Sequence, residues 1–273
     1  MRGPPRFATP MSTAHLHAVS ADHVRHADPS SDVVTAPLLD LVPDLADGLT
    51  PALAEQVRAW LVVRVWSLPR GNWPSATHTE HGLMGLLVVD GVLARCMGFG
   101  KASYPELLGR GDLVRPWDAE PDGHLGRLEV SYQVLEPCRV AVLDRRFAGI
   151  VGRWPEIVDQ LLGRAMNRAR ALDFSMAIAQ LPLLEVRLLA MLWHLADRWG
   201  VPADDGVHVP IRLTHSLLAA MVLSRRPSVS TGLAELDRRG LVSRSGEGWV
   251  LHGAAPTDLH TLTRRDGLGA LGC

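Results

Sequence analysis

A chain of 273 residues, 47% of them hydrophobic, can bury two domain cores and is too apolar to be a disordered segment. Lysine and arginine number 28 against 29 aspartates and glutamates, a formal net charge of −1, so affinity for nucleic acid has to come from a local patch. Cys96, Cys138 and Cys273 lie too far apart for a CxxC pair or an iron–sulfur cluster, and neither a signal-peptide core nor a membrane-length apolar run occurs. A cytoplasmic protein with no membrane partner is expected.

Residues 1–36 are rich in Pro, Ser, Ala and His without helical or strand period, and read as a flexible leader. His15, His17, His23 and His26 have no ordered carboxylates to support them, so no metal site is assigned there. A short helix is expected over Pro51–Val63, with Thr50 as N-cap, Pro51 at the first helical position and Leu53, Val57 and Trp60 on one face. β-type runs follow at Val62–Leu68, Gly82–Val89, Val92–Met97, Val130–Leu135 and Arg139–Leu143. Asp90-Gly91 between two of these runs signals a hairpin, because a type I′ turn needs positive φ at both central residues. Together these pieces make an antiparallel roll over 37–152, its interior either a ligand pocket or filled by its own side chains.

From Arg153 the period becomes helical. Val158, Leu162, Ala165, Ala169, Leu172, Met176 and Ala179 repeat at alternating spacings of four and three, a heptad seam. A long helix over 153–181 is therefore expected to pair with its symmetry mate, with Pro182 as a kink or hinge. Leu183–Trp199 is a second amphipathic helix, with Val186, Leu189, Leu192, Trp193 and Ala196 on one face and Gly200 as its stop.

Residues 207–252 have the order of a winged helix-turn-helix: strand Val207–Leu213, helix Thr214–Met221, turn Val222–Ser224, helix Arg226–Arg239, and a wing of Leu241–Arg244 and Trp249–Leu251. In the second helix Val229, Leu233 and Leu236 face the core. The opposite face carries Pro227, Ser228, Thr231, Ala234 and Arg238, with Arg225 and Arg226 at its N-terminal end. Small hydroxylated residues that approach base edges, flanked by arginines that reach guanine or phosphate, are what a recognition helix needs. Arg244, between Ser243 and Ser245, is placed on the wing to touch the backbone or minor groove. Between Ile211 and Gly253 there are six arginines against three acids, a local +3. This domain spans 182–253, and a flexible tail follows over 254–273.

The stretch "LTHSLLAAMVLSRRPSVSTGLAELDRRGLV", Leu213–Val242, resembles the recognition motif of the Crp/Fnr family of bacterial regulators, and the likeness extends over about residues 38–253. It implies a β-roll of the cyclic-nucleotide-binding type, and base contacts among Arg226, Pro227, Ser228 and Thr231. "LLVVDGVLARC" and "LLGRGDLVRPWD" look like the family's strand–Gly–strand and the turn that opens its phosphate cassette. After Gly111-Asp112, however, there is no Gly-Glu pair to hold a ribose, and Glu129 stands beside Arg127 where a cyclic phosphate would be clamped. Cyclic AMP held by the usual contacts is not expected. The effector stays unassigned, with Arg115 and Arg127 as candidate contacts and haem still open through His78, His81, His124 or Cys96. Where many relatives have Gly in the turn of the motif, this chain has Leu223.

The expected fold class is α+β: an N-terminal antiparallel β-roll of the double-stranded jelly-roll type, a long dimerisation helix and a C-terminal winged helix-turn-helix. The expected function is sequence-specific DNA binding by a homodimeric transcriptional regulator reading a pseudo-palindromic site. Its partners would be double-stranded DNA, a second copy of itself and, for an activator, RNA polymerase. A sensor of small molecules or redox state that acts through protein partners, with the winged domain as contact module, is the competing class. An enzyme is not expected, since no phosphate loop, metal-binding helix motif or nucleophile elbow is present.

Overall fold

The computed structural model describes residues 34–74, 84–99, 102–116 and 128–255. Residues 1–33 of the leader, together with His78, His81, His124, Arg127 and Cys273, lie outside the described residues.

The chain enters as a strand, β1 (Val34–Pro37), so the last residues assigned to the leader belong to the roll, paired antiparallel with β2 (Val62–Leu68). Between them stand α1 (Leu38–Leu41), a 3-10 turn (Pro43–Ala46) and α2 (Pro51–Trp60). The Thr50 side chain accepts from the Leu53 N–H at 3.3 Å and Pro51 opens α2, as the sequence indicates. The helix stops at Trp60 rather than Val63, because the β-branched pair Val62 and Val63 is drawn into β2 opposite Pro37 and Ala36. Trp60 is no core residue: it is exposed, with the Arg153 guanidinium 5.3 Å from its ring centroid.

The remaining roll strands are β3 (Gly71–Trp73), β4 (Gly85–Phe99), β5 (Ala102–Leu108), β6 (Leu113–Val114) and β7 (Glu129–Leu143). They form one antiparallel sheet in the order β1-β2-β7-β4-β5, with β3 on β7 and β6 on β4. The expected hairpin at Asp90-Gly91 is not formed. β4 runs straight through these residues, and its register against β7 slips between Val88 and Leu93, a bulge rather than a turn. Gly91 has φ 82°, and a Cβ there would lie 2.2 Å from the Pro137 carbonyl oxygen. Asp90 accepts from the Arg139 backbone N–H at 3.1 Å and from its Nε at 2.8 Å, fastening the bulge across the strands. For the same reason Val130–Leu135 and Arg139–Leu143 are two halves of β7, with Pro137 in the register gap where its missing N–H costs no ladder bond. Replacing Gly91 with alanine should therefore lower stability by about 1–3 kcal/mol in denaturant unfolding; an unchanged midpoint would contradict the bulge.

The sheet buries both faces. Trp66, Trp73, Leu86, Val88, Leu108 and Tyr132 pack inside the roll, Trp73 edge-on to Tyr132 at 5.4 Å between ring centroids. Leu87, Val89, Ala141 and Leu143 face outward under α1, α2, α3 (Arg145–Val151) and the first turns of α4 (Pro155–Ala179). Ile157 and Leu161 anchor α4 on the roll, which leaves the neighbouring stripe outside: Val158, Leu162 and Met176 are exposed, as is Met166 beside them. Ala179, the last position of the expected seam, instead joins the chain's own core with Ile178.

α5 (Leu184–Trp199) is buried more widely than its stripe suggests, with Leu188, Ala190, Met191 and Leu195 covered as well. It lies between two partners. Its core continues on one side into Val92, Ala94, Leu107 and Leu135 of the roll and on the other into the C-terminal domain. There β8 (Val201–Ala203), β9 (Gly206–Val209), β10 (Val242–Ser245) and β11 (Gly248–Leu251) form an antiparallel sheet in the order β10-β11-β9-β8. α6 (His215–Met221) and α7 (Arg226–Arg238) complete the domain. Among the described residues no helix is long and apolar enough to cross a membrane.

Candidate nucleic-acid interface

The interface is built on the pair α6 and α7. Thr214 caps α6 by accepting from the Leu217 N–H at 3.1 Å, and the connection to α7 turns at Leu223. Leu223 sits at φ 50°, the left-handed region, at a cost of about 1–2 kcal/mol for a residue with a Cβ. The turn closes nonetheless: the Ser224 N–H reaches the Ala219 carbonyl at 2.8 Å. Arg187 of α5 donates from Nη1 to the Val222 carbonyl at 2.8 Å, a brace the sequence did not disclose because one arginine interrupts an otherwise apolar helix face.

α7 is seated by Val229, Gly232, Leu233 and Leu236. A Cβ at Gly232 would come within 2.9 Å of Leu188 Cδ1, so this glycine sets how closely α7 approaches α5. The other face is exposed and carries the expected set: Arg225, Arg226, Pro227, Ser228, Thr231, Ala234 and Arg238. Among the described residues no acid pairs with Arg225 or Arg226. Arg238 differs, because it forks onto Glu235 at 2.9 and 2.7 Å while Arg239 holds the same carboxylate at 2.6 Å. Hydrogen bonds from Arg238 and then Arg239 hold the Glu235 carboxyl down to about 2. The positive surplus is thereby concentrated at the N-terminal end of α7, where the helix dipole adds to it.

On the wing, Arg244 lies 4.8 Å over the Trp249 ring and donates to the Gly246 carbonyl at 3.3 Å, with an exposed side chain aimed along the wing. Ser243 is turned away toward His252 at 2.8 Å. His215 was not singled out in the sequence. Its Nδ1 stands 2.8 Å from Ser230 Oγ, and its ring lies 6.1 Å from that of Trp249, which ties α6, α7 and the wing together. The Ser230 hydroxyl donates to the Arg226 carbonyl at 3.1 Å, so His215 Nδ1 is the donor in the first bond. Burial, then Arg244 and Arg226, lower its pKa.

The roll carries less of what was expected. Arg115 is exposed just beyond β6. The Asp112 carboxylate is used internally, accepting from the Gly109 N–H at 2.8 Å and from Arg198 of α5 at 2.6 Å. Burial raises its pKa despite those partners. Glu106, also buried, is gripped by Arg168 of α4 through Nε at 2.7 Å and Nη2 at 2.8 Å, with Arg95 at 3.5 Å. Burial keeps both described thiols protonated, pushing Cys138 up to about 12 and Cys96 upward.

Residues 186–254 match the family model of the Crp-like helix-turn-helix domain. Among solved structures, a mutant of CooA from Carboxydothermus hydrogenoformans is similar at TM-score 0.55 and 17% identity, over 85% of this chain and 95% of that one. A CRP-family transcriptional regulator from Thermus thermophilus gives 0.54 and 19%, over 74% and 96%. A cyclic nucleotide-binding domain containing protein from Listeria monocytogenes gives 0.57 and 15%, over 78% and 97%. No curated protein sequence matches the chain.

Proposed function

We propose that this chain, which carries a Crp-like helix-turn-helix domain on the fold of the CRP-family regulators, is a sequence-specific DNA-binding regulator of transcription that acts as a homodimer. The observation that carries this reading is α7: one face locked into the domain core, the other exposing Arg226, Pro227, Ser228 and Thr231 beside an unopposed Arg225. That helix enters the major groove from its N-terminal end, while Arg244 on the wing reaches the backbone alongside. The stripe Val158, Leu162, Ala165, Ala169, Leu172 and Met176, in which Ala165 and Leu172 are half-buried and the rest exposed, pairs two copies of α4, so the two recognition helices meet half-sites about one helical turn apart.

Selection of bound fragments from random DNA would supply the site. On that site, Arg226→Ala and Thr231→Ala are each expected to weaken binding by about 1–3 kcal/mol and to relax preference at the base pair each one reads. Affinity and preference unchanged in both variants would contradict the assignment of α7 as the reading element.

A further inference from the structure

His215 stands where α6, α7 and the wing meet: it opens α6, is bonded to Ser230 of α7, and faces Trp249 of the wing. Two successive hydrogen bonds place its proton. The Ser230 hydroxyl donates its single hydrogen to the Arg226 carbonyl, so the ring must donate from Nδ1 to Ser230 Oγ. The neutral imidazole therefore carries its hydrogen on Nδ1 and only a lone pair on Nε2. Among the described residues Nε2 has no hydrogen-bond partner, and it is open to solvent where Nε2 of His208 is sealed.

The charges that act on the ring are of one sign. Arg226 belongs to α7, and Arg244 belongs to β10, its guanidinium over Trp249. Glu247, the acid of the wing tip, is engaged by Arg70 at 3.4 Å and Arg212 at 3.6 Å, and Glu235 of α7 is held by Arg238 and Arg239. Burial and the two arginines thus favour the neutral ring in the free protein. An anion seated among these groups has the opposite effect, because it offsets both guanidiniums and attracts a third positive charge.

We infer that His215 is a phosphate contact that forms only when the ring is protonated, so that each subunit takes up a proton from solvent as it closes on DNA. A phosphodiester oxygen accepts hydrogen bonds and donates none. Against the neutral ring it would meet lone pair with lone pair; the imidazolium donates from Nε2 while Nδ1 keeps Ser230. The tautomer that ties α6 to α7 is thus the one that forbids the contact in the neutral state. The sign of the coupling follows. The pKa of the ring is lowered in the free protein and raised by the phosphate, so affinity is full below the free-state pKa and falls as pH rises from there to the pKa of the complex. In that window log affinity falls by about one per pH unit for each subunit engaged. The phosphate contact rests on the DNA reading proposed above, whereas the fixed tautomer does not.

The test is the affinity of the full chain for the selected duplex from about pH 5.5 to about pH 8.5 at constant salt. It compares the parent with His215→Asn, which keeps an amide donor toward Ser230, and His215→Gln, which offers a donor near the Nε2 position without a proton to gain. The parent should lose at least about tenfold in affinity between about pH 6 and about pH 8, and each variant less than about threefold. Calorimetry in two buffers of different ionisation enthalpy should show net proton uptake on binding by the parent and none by His215→Asn. Parent affinity that is flat in pH, or an equal pH dependence in a folded variant, overturns the contact and leaves the proposed function standing; where His215→Gln does not fold, His215→Asn decides. Nitrogen-15 shifts that place the free-state proton on Nε2 overturn the coupling without reference to DNA. Absence of specific duplex binding at every pH removes the proposed function, and the coupling with it.

Discussion

Replacing Glu106 with alanine is expected to destabilise the protein by about 3–5 kcal/mol, since breaking a buried ion pair strands its partner. The carboxylate is 7% exposed and holds two arginines that are themselves largely covered, with Arg168 and Arg95 side chains at 21% and 18% exposure. Burial works against the charge on Arg168, and Glu106 more than restores it. Removing the acid leaves two guanidiniums facing each other between the roll and α4. Glutamine, which keeps the shape and part of the hydrogen bonding, should lose about 1–3 kcal/mol. Urea unfolding monitored by circular dichroism measures both. An alanine variant within about 1 kcal/mol of the parent would show that the pair contributes little to holding α4 on the roll.

The second large effect concerns assembly. Leu162 is 60% exposed on α4, in the N-terminal part of the unpaired apolar stripe, so Leu162→Glu should change the stability of the isolated chain by no more than about 0.5 kcal/mol. In a paired seam the same substitution buries two like charges face to face. The dimer dissociation constant should then rise at least about a hundredfold, roughly 3 kcal/mol, in sedimentation velocity. Affinity for a two-half-site duplex should fall with it, because the second half-site is no longer engaged at high effective concentration. A variant that stays dimeric would move the interface elsewhere.

The parts of the molecule that were legible in the sequence are those set by local pattern. The cap at Thr50, the inward spacing of Val229, Leu233 and Leu236, and the turns of the wing each depend on a few neighbouring residues. What escaped depends on distant partners. Asp90-Gly91 has turn chemistry, yet it becomes a bulge because two 15-residue strands pair across it and Arg139 holds Asp90. β5, "ASYPELL", looks unlike a strand because Pro105 and Glu106 interrupt it. As the last strand in the sheet order it tolerates the proline, and Glu106 finds its counter-ions on β4 and α4. The candidate DNA face was visible residue by residue, except that Arg238 is shared with Glu235 and that His215 links α6, α7 and the wing. Neither pairing follows from spacing alone.

Salt dependence of specific binding tests the central claim most directly. Fluorescence anisotropy on the selected duplex, from low to moderate salt, should give a linear fall of log affinity with log salt concentration. A slope of about −5 or steeper is expected for a dimer that neutralises several phosphates through Arg225, Arg226 and Arg244 of each copy. Arg226→Ala should make the slope shallower by about one for each phosphate no longer neutralised. Affinity that is flat in salt, or equal for the selected and a scrambled duplex, would contradict DNA reading by this winged domain.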